Sequence, residues 1–180
     1  PGELIAEAQN GGGGEVDAAV ARARATFDSK AWRGQPGPAR AKVMWKIAEV
    51  IEANYAELAA LESKNNGMPE SLASYTILGG AEAFRYYAGW VTKIHGQQSS
   101  LIANSISGQP AEYHAYTRRE PMGVAGLITP WNVPISMACN KLAPALAAGC
   151  SVVLKPAEET PLTTIRVAGL VLEANGTPPR

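Results

Sequence analysis

The sequence holds 180 residues, 46% of them hydrophobic and 18% charged, with 16 Lys and Arg balancing 16 Asp and Glu. That composition excludes a disordered chain, and zero formal charge without a Lys/Arg block argues against a nucleic-acid partner. No apolar run approaches the roughly 18 residues of a membrane-spanning helix, and PGELIAEAQN at the start has neither the charged nor the apolar region of a signal peptide, so the expectation is a soluble, cytoplasmic protein with no membrane partner.

After GGGG at Gly11 to Gly14, the residues Val16, Ala19, Val20, Ala23 and Phe27 recur at helical spacing, with Arg22 and Arg24 opposite them, and predict an amphipathic helix over Glu15 to Phe27. The turn GQPGP, Gly34 to Pro38, opens a longer helix. Its apolar positions Val43, Ile47, Val50, Ile51, Tyr55, Leu58 and Leu61 repeat at three and four until NNG, Asn65 to Gly67, supplies a C-terminal stop. A third helix begins at Pro69 with Leu72, Tyr75, Phe84, Tyr87, Trp90 and Ile94 as its apolar face; Gly79 and Gly80 interrupt it and mark a close backbone approach or a bend. From Gln97 to Glu120 the polar and β-forming residues predict a strand pair turning at Gly108, Gln109 and Pro110. Tyr113, Ala115 and Thr117 alternate there with His114, Tyr116 and Arg118, which suits a strand with two different faces in an arm outside the main core, and His114 reads as a surface residue.

The last third alternates strand and helix. GVAGLI, Gly123 to Ile128, is a short run of small and β-branched residues suited to a strand buried on both faces, and TPWNVP, Thr129 to Pro134, ends it. A helix from about Pro134 to Ala148, a second buried strand CSVVLK (Cys150 to Lys155) and a helix from Pro161 to Glu173, closed by Asn175, Gly176 and two prolines, complete a β-α-β-α order. Such a unit takes a right-handed crossover between parallel neighbours, so the fold class expected is α/β, with part of a doubly wound, Rossmann-like parallel sheet preceded by helices and a strand arm.

Open parallel sheets bind ligands at the carboxyl ends of their strands, and that rule selects TPWNVP and KPAEE, Lys155 to Glu159, which gather Asn132, Lys155 and Glu158 along one edge. A lysine and a carboxylate there suit the hydroxyls of a ribose: the ammonium donates, while the carboxylate accepts two bonds and disfavours an added phosphate, which leans toward NAD over NADP. The usual G-x-G-x-x-G fingerprint does not follow the first strand. Taken singly, each loop also has a plain structural reading, with Pro130 and Pro134 fixing a turn, Trp131 plugging a core, and Lys155 and Glu158 forming a solvated helix entrance. The two cysteines, Cys139 and Cys150, and two histidines, His95 and His114, lack the spacing of a disulfide framework or a metal site; each thiol reads as a small apolar side chain in or beside a core.

The run from Glu120 to Ala174, with PWNVP, NKLAPALAAG and KPAEETP at their separations, closely resembles the NAD(P)-dependent aldehyde dehydrogenase superfamily, and the resemblance extends back through RYYAGWVTKIHG (Arg85 to Gly96) to GELIAE near the start. In that family a cysteine thiolate attacks the aldehyde, the tetrahedral oxyanion passes hydride to the nicotinamide, and a glutamate-activated water releases the acid. The resemblance implies that Asn132 donates its amide to the oxyanion and that Lys141 matches a lysine given a proton-relay role, a position that otherwise reads as a structural ion-pair partner. Ile128, Thr129, Pro130 and Trp131 match residues lining the coenzyme, and Lys155, Pro156, Ala157 and Glu158 match its adenosine-ribose side. It further implies a division into residues 1–96, the helical part of a coenzyme-binding domain; 97–120, a hairpin oligomerisation arm; and 121–180, the first βαβα of the coenzyme-binding sheet. A homodimer or homotetramer acting on an aldehyde is the assembly implied. The family's nucleophilic cysteine and general-base glutamate lie beyond the KPAEETP helix, and neither Cys139 nor Cys150 matches by motif. The expectation is therefore an N-terminal portion without the catalytic domain, inactive alone and completed by the missing C-terminal half, or a non-catalytic nucleotide-binding or assembly fragment.

Overall fold

The structure, a computed structural model, describes residues 4–174, so the predicted stop at Asn175 and Gly176 lies outside the described residues. Helix α1 (Gly13–Asp28) takes in the last two of the four glycines, two residues earlier than expected, with the Gly12 amide donating to Glu15 Oε2 at 2.8 Å. Only Ala23 of its apolar stripe is buried, while Val16 and Val20 remain about half open. Between α1 and the next helix, Trp32 Nε1 donates to the carbonyl of Leu146 at 2.9 Å and ties this linker to the distant half of the chain.

The long helix expected after Pro38 is two helices, α2 (Gly37–Ala53) and α3 (Tyr55–Asn66). The break falls at Asn54, whose φ of −105° and ψ of 14° leave the helical region and whose side-chain amide donates to the Val50 carbonyl at 2.8 Å. An Asn side chain competing for backbone groups closes one helix and opens another, and an apolar period that runs through the break does not reveal it. Gly67, with φ +85°, ends α3 in the left-handed conformation that glycine takes without strain.

Helix α4 (Glu70–Trp90) is continuous through Gly79 and Gly80. Its buried stripe is Ala73, Ile77, Ala81, Phe84 and Ala88, and of the expected apolar face Leu72, Tyr75, Trp90 and the following Ile94 are exposed. Phe84 is buried and Tyr87 half-buried as expected, but the rest of the packed face is made of small residues, while the rings of Tyr75 and Trp90 stand outward. Phe84 and Ile77 are fully buried with Met44, Ile47, Ile51 and Leu58 of α2 and α3. Each such side chain contributes about 1.5–3 kcal/mol by leaving water. Arg85 bridges Glu52 of α2 and Glu82 of α4, and its guanidinium lies 5.4 Å over the Trp45 ring.

Strands β1 (Gln98–Asn104) and β2 (Pro110–Tyr116) form the expected antiparallel pair, in register Gln98↔Tyr116. The turn sits earlier than expected, at Ser105 to Gln109 with Gly108 at φ +77°, and Pro110 opens β2. Both faces of the pair are open; only Ala111 is half-buried. The second sheet pairs β3 (Val124–Ile128) in parallel with β4 (Ser151–Lys155), joined by α5 (Pro134–Ala148) and followed by α6 (Leu162–Ala174). Helices α1 and α5 both pack on these strands, and the fold is α/β, part of a Rossmann-like doubly wound sheet. Burial on both faces does not hold for β3: Leu127 is buried, Val124 and Ala125 are half-buried, and Gly126 and Ile128 are open. In a two-stranded sheet each strand is also an edge, so less of its surface is covered. No helix among the described residues is long and apolar enough to cross a membrane.

Candidate functional site

The site grows out of the last rung of the parallel ladder. Ile128 stands opposite Lys155, and the Thr129 amide donates to the Lys155 carbonyl at 3.1 Å. Beyond that rung each chain meets a proline, Pro130 or Pro156, which has no N–H to extend the ladder, so both loops leave the sheet at the same edge. Ile128 is 70% exposed and Trp131 59%, so neither plugs a core; Thr129 is buried, and its hydroxyl finds no hydrogen-bond partner among the described residues.

At the start of the second loop, Lys155 Nζ donates to Glu158 Oε1, three residues on, at 2.6 Å and to the Pro156 carbonyl at 3.1 Å. This ammonium, with a backbone hydrogen bond, holds the Glu158 carboxyl below its ordinary pKa, so it is charged throughout the neutral range. Pro156 and Ala157 lie between them, half-buried. All four residues line a groove of about 420 Å³, together with Val16 and Ala19 of α1, Val153 of β4 and Ile165 of α6. An apolar trough with a charged donor and acceptor at its rim suits a flat base joined to a hydroxyl-bearing sugar.

The two loops are held from behind by the last turn of α3. Glu62, 0% exposed, accepts a hydrogen bond on Oε1 from the Ile135 amide at 3.2 Å, in the first turn of α5. Burial raises its pKa, against the weaker opposing influence of Thr163 and the Ile135 amide, although neither Glu62 Oε2 nor Thr163 Oγ1 completes a hydrogen bond of normal geometry. Asn66 Nδ2 donates to the Trp131 carbonyl at 2.6 Å and to the Asn132 carbonyl at 3.4 Å. Asn65 accepts from the Leu162 amide on Oδ1 at 3.1 Å, in the first turn of α6, and its Nδ2 reaches the Glu159 carbonyl at 3.5 Å. Thr160 Oγ1 crosses between the loops to the Trp131 carbonyl at 3.1 Å.

The structure thus brings Ile128, Thr129, Pro130, Trp131 and Asn132 to one edge with Lys155, Pro156, Ala157 and Glu158. The Asn132 side chain is exposed and makes no hydrogen bond among the described residues. Lys141 stands apart, seven residues after Pro134 and so about 10 Å along α5 by the helical rise. It is half-buried, without an ion-pair partner among the described residues. Cys139 is fully buried beneath α4, and burial pushes its thiol up to about 12, far from a nucleophilic thiolate; Cys150 is also buried, just before the opposite end of β4. No group of three or more His, Cys, Asp or Glu among the described residues could hold a metal ion. Sequence reasoning missed Glu62, Asn65, Asn66 and Thr160, reading NNG only as a helix stop. For Glu62, Asn65 and Asn66 the available signal was spacing, since positions i, i+3 and i+4 fall on one face of a helical turn; Thr160 has no such signal.

Three comparisons bear on this geometry. The family model for the aldehyde dehydrogenase family matches residues 1–180. An aldehyde dehydrogenase of Enchytraeus buchholzi is 44% identical over 176 residues, covering 96% of this chain and 34% of its own. Retinal dehydrogenase 2 of Homo sapiens is 42% identical over 180 residues, covering 99% and 33%. Among solved structures, the NAD+ complex of an aldehyde dehydrogenase from Bacillus cereus superposes with a TM-score of 0.83 at 44% identity, covering 92% of this chain and 32% of that one. The chain therefore spans about a third of the length of the curated relatives it matches. On the match along its whole length, the chain belongs to the aldehyde dehydrogenase family.

Proposed function

We propose that this chain is the N-terminal, coenzyme-binding portion of an NAD(P)-dependent aldehyde dehydrogenase, which oxidises an aldehyde to a carboxylic acid through a cysteine thiohemiacetal and thioester. The observation that carries the reading is the shared sheet edge, where the Asn132 loop and the Lys155–Glu158 pair emerge side by side. NAD is the coenzyme the residues fit: the apolar walls of the groove suit an adenine, Lys155 donates to a ribose hydroxyl, and charged Glu158 accepts from both while disfavouring a 2'-phosphate. When bound, the nicotinamide supplies the hydride acceptor.

Asn132 is assigned the donor to the oxyanion formed when a thiolate adds to the aldehyde carbonyl. A carboxamide N–H held on a rigid loop stabilises that charge without titrating. Ile128, Thr129, Pro130 and Trp131 line the coenzyme, and Lys141 takes a proton-relay role on the family resemblance alone. Neither buried cysteine here is suited to be the nucleophile, and the family resemblance alone assigns the nucleophile and general base to other polypeptide. In this reading residues 1–96 and 121–180 build the coenzyme-binding domain, and 97–120 form an arm for a homodimer or homotetramer, supported by the hairpin's exposed Ile102, Ile106 and Tyr116.

The buried thiols favour a second reading, a nucleotide-binding or assembly piece without chemistry of its own. Assay of NADH formation by the complete polypeptide decides between them, on a panel that includes phenylacetaldehyde and retinal because relatives carry those names. Turnover of any panel aldehyde supports the enzyme; NAD binding with no turnover on any of them leaves the second reading.

A further inference from the structure

We propose that Glu62, Asn65 and Asn66, the last turn of α3, are positioning residues that set the Asn132 loop and the Lys155–Glu158 loop in register with each other; this rests on the enzyme reading above. The three side chains reach backbone groups in both loops and at the starts of both helices that follow. Glu62 takes the Ile135 amide, which a helix beginning at Pro134 leaves without an intrahelical acceptor, and so acts as a cap delivered from another element. Asn65 does the same for the Leu162 amide of α6. Asn66 fixes the Trp131 and Asn132 carbonyls, the two backbone carbonyls on either side of the Cα that carries the Asn132 carboxamide.

The arrangement is a rigid bracket for two reasons. Gly67 ends α3 at once, and Ser63 Oγ donates to the Met68 carbonyl at 2.7 Å, so the turn bearing the three residues is itself pinned. The Trp131 carbonyl receives Thr160 as well as Asn66, which links the two loops directly. Positioning matters because an oxyanion donor works only where the charge develops, and a displacement of about 1 Å can cost on the order of 100-fold in rate. Glu62 serves as an acceptor in a dry site, a role a neutral carboxyl or a carboxamide fills equally.

The test compares the complete enzyme with Asn66→Asp, Glu62→Gln and Glu62→Leu by steady-state kinetics and by hydrogen exchange. Asn66→Asp keeps the shape but turns the donor into an acceptor facing two carbonyls. It should lower kcat on the order of 10- to 100-fold and speed exchange in residues 129–135, while exchange in α2 and α4 stays as in the parent. Glu62→Leu should do likewise, and Glu62→Gln should restore the parent kcat and exchange. Unchanged exchange at 129–135 in Asn66→Asp, or acceleration spread evenly through α2 and α4, overturns the proposal. Should the parent oxidise no aldehyde, the enzyme reading fails and the exchange data alone decide whether the bracket holds the loops.

Discussion

Gly80 of α4 lies directly against Cys139 of α5: a Cβ at position 80 would sit 2.9 Å from the Cys139 sulfur and 3.3 Å from its Cβ. Both residues are fully enclosed, so the sulfur has little room to turn away. Gly80→Ala gains helix propensity of about 1 kcal/mol, but overpacking costs roughly 1–3 kcal/mol, and at a 2.9 Å approach in an enclosed site the upper part of that range applies, for a net loss of up to about 2 kcal/mol. Gly79 is the internal control, exposed with nothing within 4 Å of a Cβ, so Gly79→Ala should stabilise by up to about 1 kcal/mol. Urea titrations of the two variants should move in opposite directions. A Gly80→Ala protein as stable as its parent would show that α4 and α5 are not in close contact.

Burial raises the pKa of Glu62, and the sign of its effect on stability follows. Below the ordinary value near 4.5 the carboxyl is protonated in both the folded and unfolded chain and makes no difference. Above it the unfolded chain loses the proton while the folded chain keeps it, so stability falls as pH rises, until the folded group also ionises. Glu62→Gln removes this loss. The variant and parent should therefore be closest in stability at acid pH, with the variant gaining on the parent as pH rises through 4.5 toward neutrality. A parent that instead gains on the variant over that range would mean a carboxylate stabilised by its partners in place of one penalised by burial.

How much of this was legible in the sequence depends on what each signal measures. The βαβα order emerged with boundaries within a residue or two, because proline and glycine punctuate β3, α5 and β4 and the apolar runs are short. The strand-end rule likewise put Asn132, Lys155 and Glu158 on one edge, since parallel register makes loop adjacency a consequence of topology. The break at Asn54 was hidden because a side-chain amide bonded to Val50 ends α2 without disturbing the apolar period. On α4, weighting large residues selected Tyr75 and Trp90, whereas close helix packing buries Ala73, Ala81 and Ala88. Asn65 and Asn66 went unread as site residues because a polar pair before glycine has a sufficient local reason as a helix stop; only the tertiary structure shows what their side chains reach.

Cys139 should be chemically silent in the native protein. Its thiol is enclosed and pushed up to about 12, chiefly by burial and further by the nearby Glu62, so almost no thiolate is present near neutrality. A thiol reagent such as iodoacetamide should modify Cys139 only at the rate of global unfolding, with mass spectrometry of the peptide spanning residues 134–141 as the readout. Rapid native labelling of that peptide would contradict both the burial and the exclusion of Cys139 as nucleophile.

Glu158 should govern the choice between coenzymes. Lys155 holds its carboxyl charged below the usual carboxylate range, so NAD affinity should stay flat as pH falls from neutrality and decline only when that lowered pKa is reached. Glu158→Gln keeps one acceptor but loses the charge, and a hydrogen bond to a charged group contributes roughly 1.5–3 kcal/mol. NAD affinity should drop on the order of 10-fold, and the repulsion that disfavours a 2'-phosphate should go with it. Calorimetric titration with NAD and NADP measures both. If the ratio of NADP to NAD affinity does not rise, the carboxylate is not the discriminator.

Asn132 offers the sharpest separation of binding from chemistry. Its backbone carbonyl is fixed by Asn66 while its side chain is exposed and without a partner among the described residues, so the loop is held and the amide is unengaged. Removing a donor that acts on developing charge lowers kcat and kcat/KM together, whereas removing a wall of the pocket raises KM for the coenzyme. Asn132→Ala in the complete enzyme should therefore cost on the order of 10² to 10³ in kcat with NAD affinity within a few-fold of the parent. Asn132→Asp should be at least as severe, because the nearly isosteric carboxylate repels the oxyanion it replaces a donor to. Equal losses in turnover and coenzyme affinity would make Asn132 a shaping residue, and the oxyanion would then need its donors elsewhere.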